Sequence, residues 1–405
     1  MKKVYKIFCV AILICIFAFT LIPSIAAKSE AAPKTINIGY MATLTGFASE
    51  VLGISLQGAE LARDIINDRG GITINGEKYL IKLIVEDTKG SPDGSLAAAN
   101  KLVYGKKLKF VAGMFPTHFI KAAMSVTEPA GVIYNRCYSC ATKDEFGPHT
   151  PYSFVSNVST GDLYKSIFMY LTKNYPDVKT ITYILVDDGQ IRDNDRIVRK
   201  IAKEFGLTIK GDIIGWSPAT VDWSAVVTRA IKRNADAIMH GNGGAMANGS
   251  IMKIAREMGY TGLIFGCNAD GATDIRMVAG KSASTNYFTH GVSESMPDMY
   301  PITKEISKRA MARYKRLTGF HLYGFNSIYT MVEAIKAAQS LDPKKVKETW
   351  ENMDTIETGY GPGRMGGKTL YGLKHTVYHR QPIQVLDQGE IKFGAWIELE
   401  ELYIP

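Results

Sequence analysis

The stretch "FVAGMFPTHFIKAA", Phe110–Ala123, decides how the chain is read. Phe110–Ala112 has the apolar run of a strand buried on both faces. Gly113 ends it, and from Phe119 onward apolar residues recur at helical spacing to Thr127. A strand, Val132–Tyr134, follows within five residues. Strand, tight loop, helix and parallel strand form a βαβ unit, and its polar loop, Thr117–His118, falls at the carboxyl end of a strand.

The same rhythm extends in both directions. Upstream, strand Ile36–Tyr40 leads into helix "SLQGAELARDIIND", which carries Leu61 with Ile65 and Ala62 with Ile66 on one face and is stopped by "RGGI". Strand Leu80–Glu86 and helix Ser95–Tyr104 follow. Downstream, after "GPHTPYSFVSN", the alternation restarts: helices over 163–174, 197–205, 225–233, 247–258 and near 273–278, and strands over 180–186, 209–214, 237–239 and 263–265. Two βα runs predict two lobes of α/β class, each a parallel sheet with helices on both faces. Past Tyr287 the pattern gives way to helices over 302–317, 326–340 and 346–353, and then to a β-like tail, "TVYHRQPIQVLDQGEIKF". A helical block of that size needs a sheet to lie on, so the chain is expected to cross between lobes more than once.

The first residues differ in kind. Lys2, Lys3 and Lys6 precede an apolar run, Ile7–Phe19, followed by Pro23 and the small-residue stretches "SIAA" and "SEAA". This reads as a secretory signal peptide within residues 1–31, cleaved after Ala26 or Ala31. The run is short for a membrane span, and neither Cys9 nor Cys15 follows the small residue that a lipid-attachment signal requires. The mature protein is therefore expected to be a soluble periplasmic or secreted one. Removing the leader takes away three uncompensated lysines and lowers the net charge from +9 to +6. The remaining charge forms no basic run, so no nucleic-acid partner is expected. With 46% hydrophobic and 21% charged residues among 405, the composition is that of a folded globular chain.

Motifs for chemistry fail on inspection. "GPGRMG", Gly361–Gly366, fits GxGxxG in letters only, because no apolar strand precedes it and Pro362 sits inside it. "GGKT" has proline where a phosphate loop needs its first glycine. His375 and His379 share a face but have no third ligand nearby, and "CYSC" lacks a second pair, so no metal is expected. Cys137 and Cys140 could close a local disulfide or simply line a loop. Asp187 and Asp188 are adjacent on a strand end and point apart. Neither a cofactor nor an enzymatic activity is expected, and the profile is that of a binder.

The ordered segments "INIGYMATLTGFASEVLGISLQGAELARDIINDRGGI", "LIVEDTKGSPDGSLAAANKLV", "FVAGMFPTHFIKAA", "PAGVIYNRCYSCATKDEF" and "HTPYSFVSN" resemble the landmarks of the leucine/isoleucine/valine-binding proteins, the type I periplasmic binding proteins that feed ABC importers. The resemblance implies two Rossmann-like lobes joined by three crossings and closing on a solute, with no chemistry performed. Lobe 1 would comprise 35–157 plus about 288–373, and lobe 2 would comprise 158–287 plus about 374–405. The implied partners are a small-molecule solute, an amino acid or other carboxylate, and a membrane permease; the protein would act as a monomer. A ligand-sensing role through a receptor is the alternative.

The resemblance also places site residues. Thr117, four past Gly113, would hold the solute carboxylate, although a cap for the following helix is the ordinary role of a threonine there. In "YSCAT", spacing favours Ser139 and Cys140 and chemistry favours Thr142. In the second lobe, Gly244 and Ile191 stand where the family has aromatic contacts, and the carboxylate for an α-ammonium would be Asp270, otherwise Asn268. Phe115 and Tyr138, with Phe119 and Tyr134, could line an enlarged wall that admits an aromatic acid or amide; core packing is their ordinary role.

Overall fold

A computed structural model of the chain describes residues 33–399 except 47, 114–115, 138–144, 158, 188–190, 218, 221, 242, 268–270, 294–295. The leader assigned to residues 1–31 lies outside them. Two sheets carry the architecture. The strands in chain order are β1 Lys34–Ala42, β2 Ile72–Ile74, β3 Glu77–Asp87, β4 Phe110–Gly113, β5 Ile133–Arg136, β6 Ser153–Val155, β7 Thr180–Val186, β8 Thr208–Ile209 and β9 Ile214–Trp216. They continue with β10 Ala237–Gly241, β11 Leu263–Cys267, β12 Tyr287–His290, β13 Thr355–Thr358, β14 Gly361–Gly366, β15 Thr376–Tyr378, β16 Gln381–Asp387 and β17 Glu390–Ile397.

The first sheet runs β13-β14-β15-β6-β5-β4-β1-β3-β2, with β1, β4, β5 and β6 parallel in sequence of contact. The second runs β17-β16-β12-β11-β10-β7-β8, with β9 also paired to β7. Its strands β8, β7, β10, β11 and β12 are parallel, and β16 and β17 join antiparallel. The central strands are buried along their length and mostly apolar because both of their faces are covered. On β10, Ala237 and Met239 enter the main core while Ile238 enters the smaller cluster on the opposite face.

The chain changes sheets between β6 and β7, between β12 and β13, and between β15 and β16. The helical block lies on the first sheet. Its long helix, Gly319–Ala338, is held to β5 by Asn135, whose Nδ2 donates to Ser327 O at 2.7 Å and Thr330 Oγ1 at 2.9 Å. Asn326 continues the seam by donating to Asn157 Oδ1 at 2.9 Å and accepting from Gly359 N at 2.6 Å.

Several expected boundaries move. The helix expected from Leu163 begins at Thr160, where Ser159 and Asp162 form a reciprocal capping box. The strand expected over 209–214 is two short strands, β8 and β9. "GPGRMG" is itself strand β14, hydrogen-bonded to β13 and β15 on its two sides, so a strand does precede it, but an antiparallel one that feeds no helix. That pairing removes the glycines from any phosphate-binding loop.

Candidate functional site

In each sheet the parallel strands end on the same side, and the loops beyond them are where an open α/β sheet binds ligands. On the first rim, Asp87 at the end of β3 organises the loop after β1. Its Oδ1 accepts from Leu44 N at 3.0 Å, Thr45 N at 3.4 Å and Lys89 N at 2.9 Å, and its Oδ2 accepts from Thr45 Oγ1 at 2.6 Å. Partial burial works against the charge, yet these bonds hold the carboxyl below its ordinary range. Gly113 closes β4 with φ 109, and a Cβ there would lie 2.4 Å from Met41 O, so only glycine lets the chain turn out beside β1.

Thr117 is the first residue of helix Thr117–Thr127, and the cap position falls on Pro116, which offers no side-chain bond. The threonine hydroxyl instead donates to Glu145 Oε2 at 3.3 Å. Glu145 is fixed from behind by Arg136 at the end of β5, with Nη1 to Oε1 at 2.9 Å and both side chains fully buried. The guanidinium lies over the Phe146 ring, 4.6 Å from its centroid, and its Nε and Nη2 have no partner among the described residues. A buried pair of this kind fixes geometry more than it adds stability. Thr117 thus stands on a rigid, net-neutral support.

Cys137 follows Arg136 and is a free, fully buried thiol whose Sγ lies 3.5 Å from Tyr40 Oη; burial pushes it up to about 11. Of the two alternatives for "CYSC", neither fits Cys137: it packs in the core, and Cys140 lies outside the described residues. Phe119 and Tyr134 are core residues, and the Tyr134 hydroxyl donates to Gly113 O at 3.1 Å. Phe115, Tyr138, Ser139, Cys140, Thr142, Asn268 and Asp270 also lie outside the described residues.

On the second rim, Ile191 opens helix Ile191–Glu204, and its Cδ1 packs where a Cβ on Gly215 would be, 2.9 Å away. Gly244 opens helix Gly244–Glu257 with φ 69. A Cβ there would meet Val51 Cγ2, on the helix Ser49–Leu52 of the first rim, at 3.6 Å. The two rims therefore approach each other across Val51 and Gly244, and the missing side chain leaves the backbone of the helix mouth open. Behind it, His240 on β10 and Asn248 in the helix are buried polar residues.

The two tail histidines have separate structural roles. His375 engages Ser153 O at 2.8 Å through Nδ1 and Glu351 Oε1 at 2.5 Å through Nε2, and its ring stacks on Phe154. His379 stacks on Tyr360 and contacts Gln381 Nε2 at 3.0 Å through Nδ1. No cluster of three or more metal-binding side chains occurs among the described residues, and no helix there is long and apolar enough to cross a membrane.

Sequence reasoning passed over Arg136, Glu145, His240 and Asn248. The signal for Asn248 was present: it shares the inward face with Ile251, Met252 and Ala255, at i, i+3, i+4 and i+7, where a polar residue is out of place. Arg136 likewise ends the otherwise strand-like "VIYNR".

Two Rossmann-like lobes with opposed loop-bearing rims define the class of type I periplasmic binding proteins. The chain belongs to the periplasmic binding protein family, whose sequence pattern matches residues 35–387. It is 26% identical over 346 residues to the Leu/Ile/Val-binding protein homolog 3 of Brucella melitensis, covering 82% of this chain and 88% of that protein. Among solved structures, the branched-chain amino acid transporter substrate binding protein LivJ of Streptococcus pneumoniae, in complex with isoleucine, superimposes with a TM-score of 0.75 at 18% identity, over 90% of this chain and 100% of that one. A solute binding protein of an ABC transporter from Rhodopseudomonas palustris, in complex with 3,4-dihydroxybenzoic acid, gives 0.72 at 18% identity, over 90% and 96%.

Proposed function

We propose that this protein is the extracytoplasmic solute-binding component of an ABC importer, which captures a small amino acid or related carboxylate by lobe closure and delivers it to a membrane permease. The observation that carries the reading is a family match over nearly the whole mature chain, combined with relatives named for binding leucine, isoleucine and valine. It works as a monomer, is exported by the leader within residues 1–31, and leaves the solute's covalent bonds unchanged. Lobe 1 comprises 35–157 with a return segment, about 288–373, and lobe 2 comprises 158–287 with the tail from about 374. Support for crossings near those bounds comes from the membership of β12 in the second sheet and of β15 in the first.

Thr117 is the carboxylate contact. Its bond to Glu145 is long at 3.3 Å, so a solute carboxylate at shorter range accepts the hydroxyl's hydrogen bond instead, while Arg136 keeps Glu145 in place. The ligand set continues through Phe115, Tyr138, Ser139, Cys140 and Thr142 on the first rim and Ile191, Gly244, Asn268 and Asp270 on the second. Desolvation between the lobes then favours the closed state.

A thermal-shift panel of L-leucine, L-isoleucine, L-valine, benzoate and 3,4-dihydroxybenzoate is expected to include at least one solute that raises the melting temperature by several degrees, since saturation at a hundredfold over Kd contributes about 2.7 kcal/mol. Thr117→Ala should weaken that solute about tenfold or more, the value of one charge-assisted hydrogen bond. Unchanged affinity in the variant would remove Thr117 from the site. An aromatic acid is the second reading, favoured by the absence of a side chain at Gly244, and a hit confined to benzoate or 3,4-dihydroxybenzoate would select it.

A further inference from the structure

This inference rests on the carboxylate reading above and concerns the other end of the solute. Helix Gly244–Glu257 starts at Gly243, which supplies no side-chain cap. Its first amides therefore look outward for partners, at the positive end of a fourteen-residue helix. Such a helix end is common and by itself points to no ligand. A second observation stands beside it. Asn248 is 1% exposed, and neither atom of its amide has a hydrogen-bond partner among the described residues. A Cβ on Gly243 would lie 3.1 Å from Asn248 Oδ1, 2.8 Å from Ala247 Cβ and 2.9 Å from Trp216 Cζ2, so the amide oxygen turns back to the residue before its own helix, beside the Trp216 ring. A half-turn of the amide would put its NH2 there instead.

Behind Asn248, His240 is fully buried and both of its ring nitrogens lack a partner among the described residues. It lies near enough to Asn248 for the amide to favour the protonated ring slightly, but the two make no hydrogen bond of proper geometry. Burial presses the imidazole down to about 3, so the ring is neutral and Asn248 faces no buried cation. Unsatisfied polar atoms at this depth are unfavourable, and leucine at 248 would avoid the cost on a face otherwise made of Ile251, Met252 and Ala255. Gly244, without a side chain, leaves the mouth open.

We propose that the mouth of helix Gly244–Glu257, with Asn248 behind it, receives a hydrogen-bond-accepting oxygen of the solute. The preferred solutes then carry two acceptor ends, a carboxylate at Thr117 and a second carboxylate or carbonyl at Gly243–Asn248. This polarity opposes that of a simple α-amino acid with an aliphatic side chain, which brings an ammonium and a hydrocarbon chain to the second lobe.

The test is calorimetric titration of the mature protein with two matched pairs, pentanoate against glutarate and benzoate against terephthalate, with L-leucine as reference. In a pair that binds, the diacid is expected to be at least tenfold tighter. Asn248→Leu should bring the ratio to about one, and the isosteric Asn248→Asp, which covers the case of a leucine variant that fails to fold, should lower the diacid below the monoacid. Equal affinities in wild type, or a ratio unchanged in either variant, overturn the inference. Binding of L-leucine with no diacid bound overturns it and leaves the proposed function standing, whereas no binding by any of the five overturns the carboxylate reading itself and the inference with it.

Discussion

Gly58→Ala and Gly324→Ala, each alone, are expected to cost about 3–5 kcal/mol of stability, enough to leave much of the chain unfolded. Helices Ile54–Asp68 and Gly319–Ala338 cross so closely that each needs a glycine at the contact. A Cβ on Gly58 would fall 1.9 Å from His321 O and 2.9 Å from its Cα; one on Gly324 would fall 1.7 Å from Ser55 O and 2.9 Å from its Cα. All of these are backbone atoms, so no change of rotamer relieves the overlap and the helices must separate. Separation would open the core formed by Leu61, Ala62, Ile65, Leu322, Phe325 and Ile328, and would break the Gln57–His321 contact at 3.0 Å. Gly105→Ala is the control, because nothing lies within 4 Å of a Cβ there, and its cost should stay within about 0.5 kcal/mol. Urea unfolding of the three variants measures the difference, and a Gly58→Ala or Gly324→Ala midpoint matching that of Gly105→Ala would contradict the crossing.

That crossing shows where the sequence stops being informative. The apolar stripe of the first helix and the glycine stop at "RGG" are local signals, and so is the strand-to-helix change around Gly113; they placed the βα units within a few residues. The His321 carbonyl against which Gly58 packs lies 263 positions away, and no periodicity connects the two. The same holds for β13 and β14. "GPGRMG" has neither the apolar alternation nor the β-branched residues of a strand, yet it pairs on both sides, and Tyr300 fills the space that a side chain on Gly361 would need, its Cδ2 lying 2.0 Å from a Cβ there. At the site the limit is of another kind. Position after a strand end singled out Thr117 as a candidate, but its support comes from Arg136 at the end of β5 and from Glu145, nine residues further along the chain, and Asn248 was legible only as an anomaly on an apolar helix face.

Mild acid is expected to destabilise the protein before its carboxylates titrate. His240, His290, His321 and His379 are held neutral mainly by burial, which lowers the first three to about 3 and the last to about 4. The geometry agrees for His321, whose Nδ1 accepts the Thr318 amide at 3.1 Å. The unfolded chain protonates these side chains near pH 6.5, whereas the folded protein does so only about 2.5 to 3.5 units lower. Below pH 6.5 the unfolded state therefore binds more protons, and stability falls with pH until the folded-state values are reached. The slope is about 1.4 kcal/mol per pH unit per histidine, so by pH 5 the four together remove on the order of 8 kcal/mol, comparable to the whole stability of an ordinary domain. The raised carboxyls of Glu128 and Asp274, which burial lifts, work in the opposite direction, but nearer the carboxylate range. Urea midpoints measured at pH 8, 6.5, 5.5 and 5 should fall only slightly across the first step, by the equivalent of about 1.6 kcal/mol, and then steeply. His290→Leu should reduce the slope by about a quarter. A midpoint constant from pH 8 to pH 5 would mean that these rings take up protons in the folded state and are not held neutral by their surroundings.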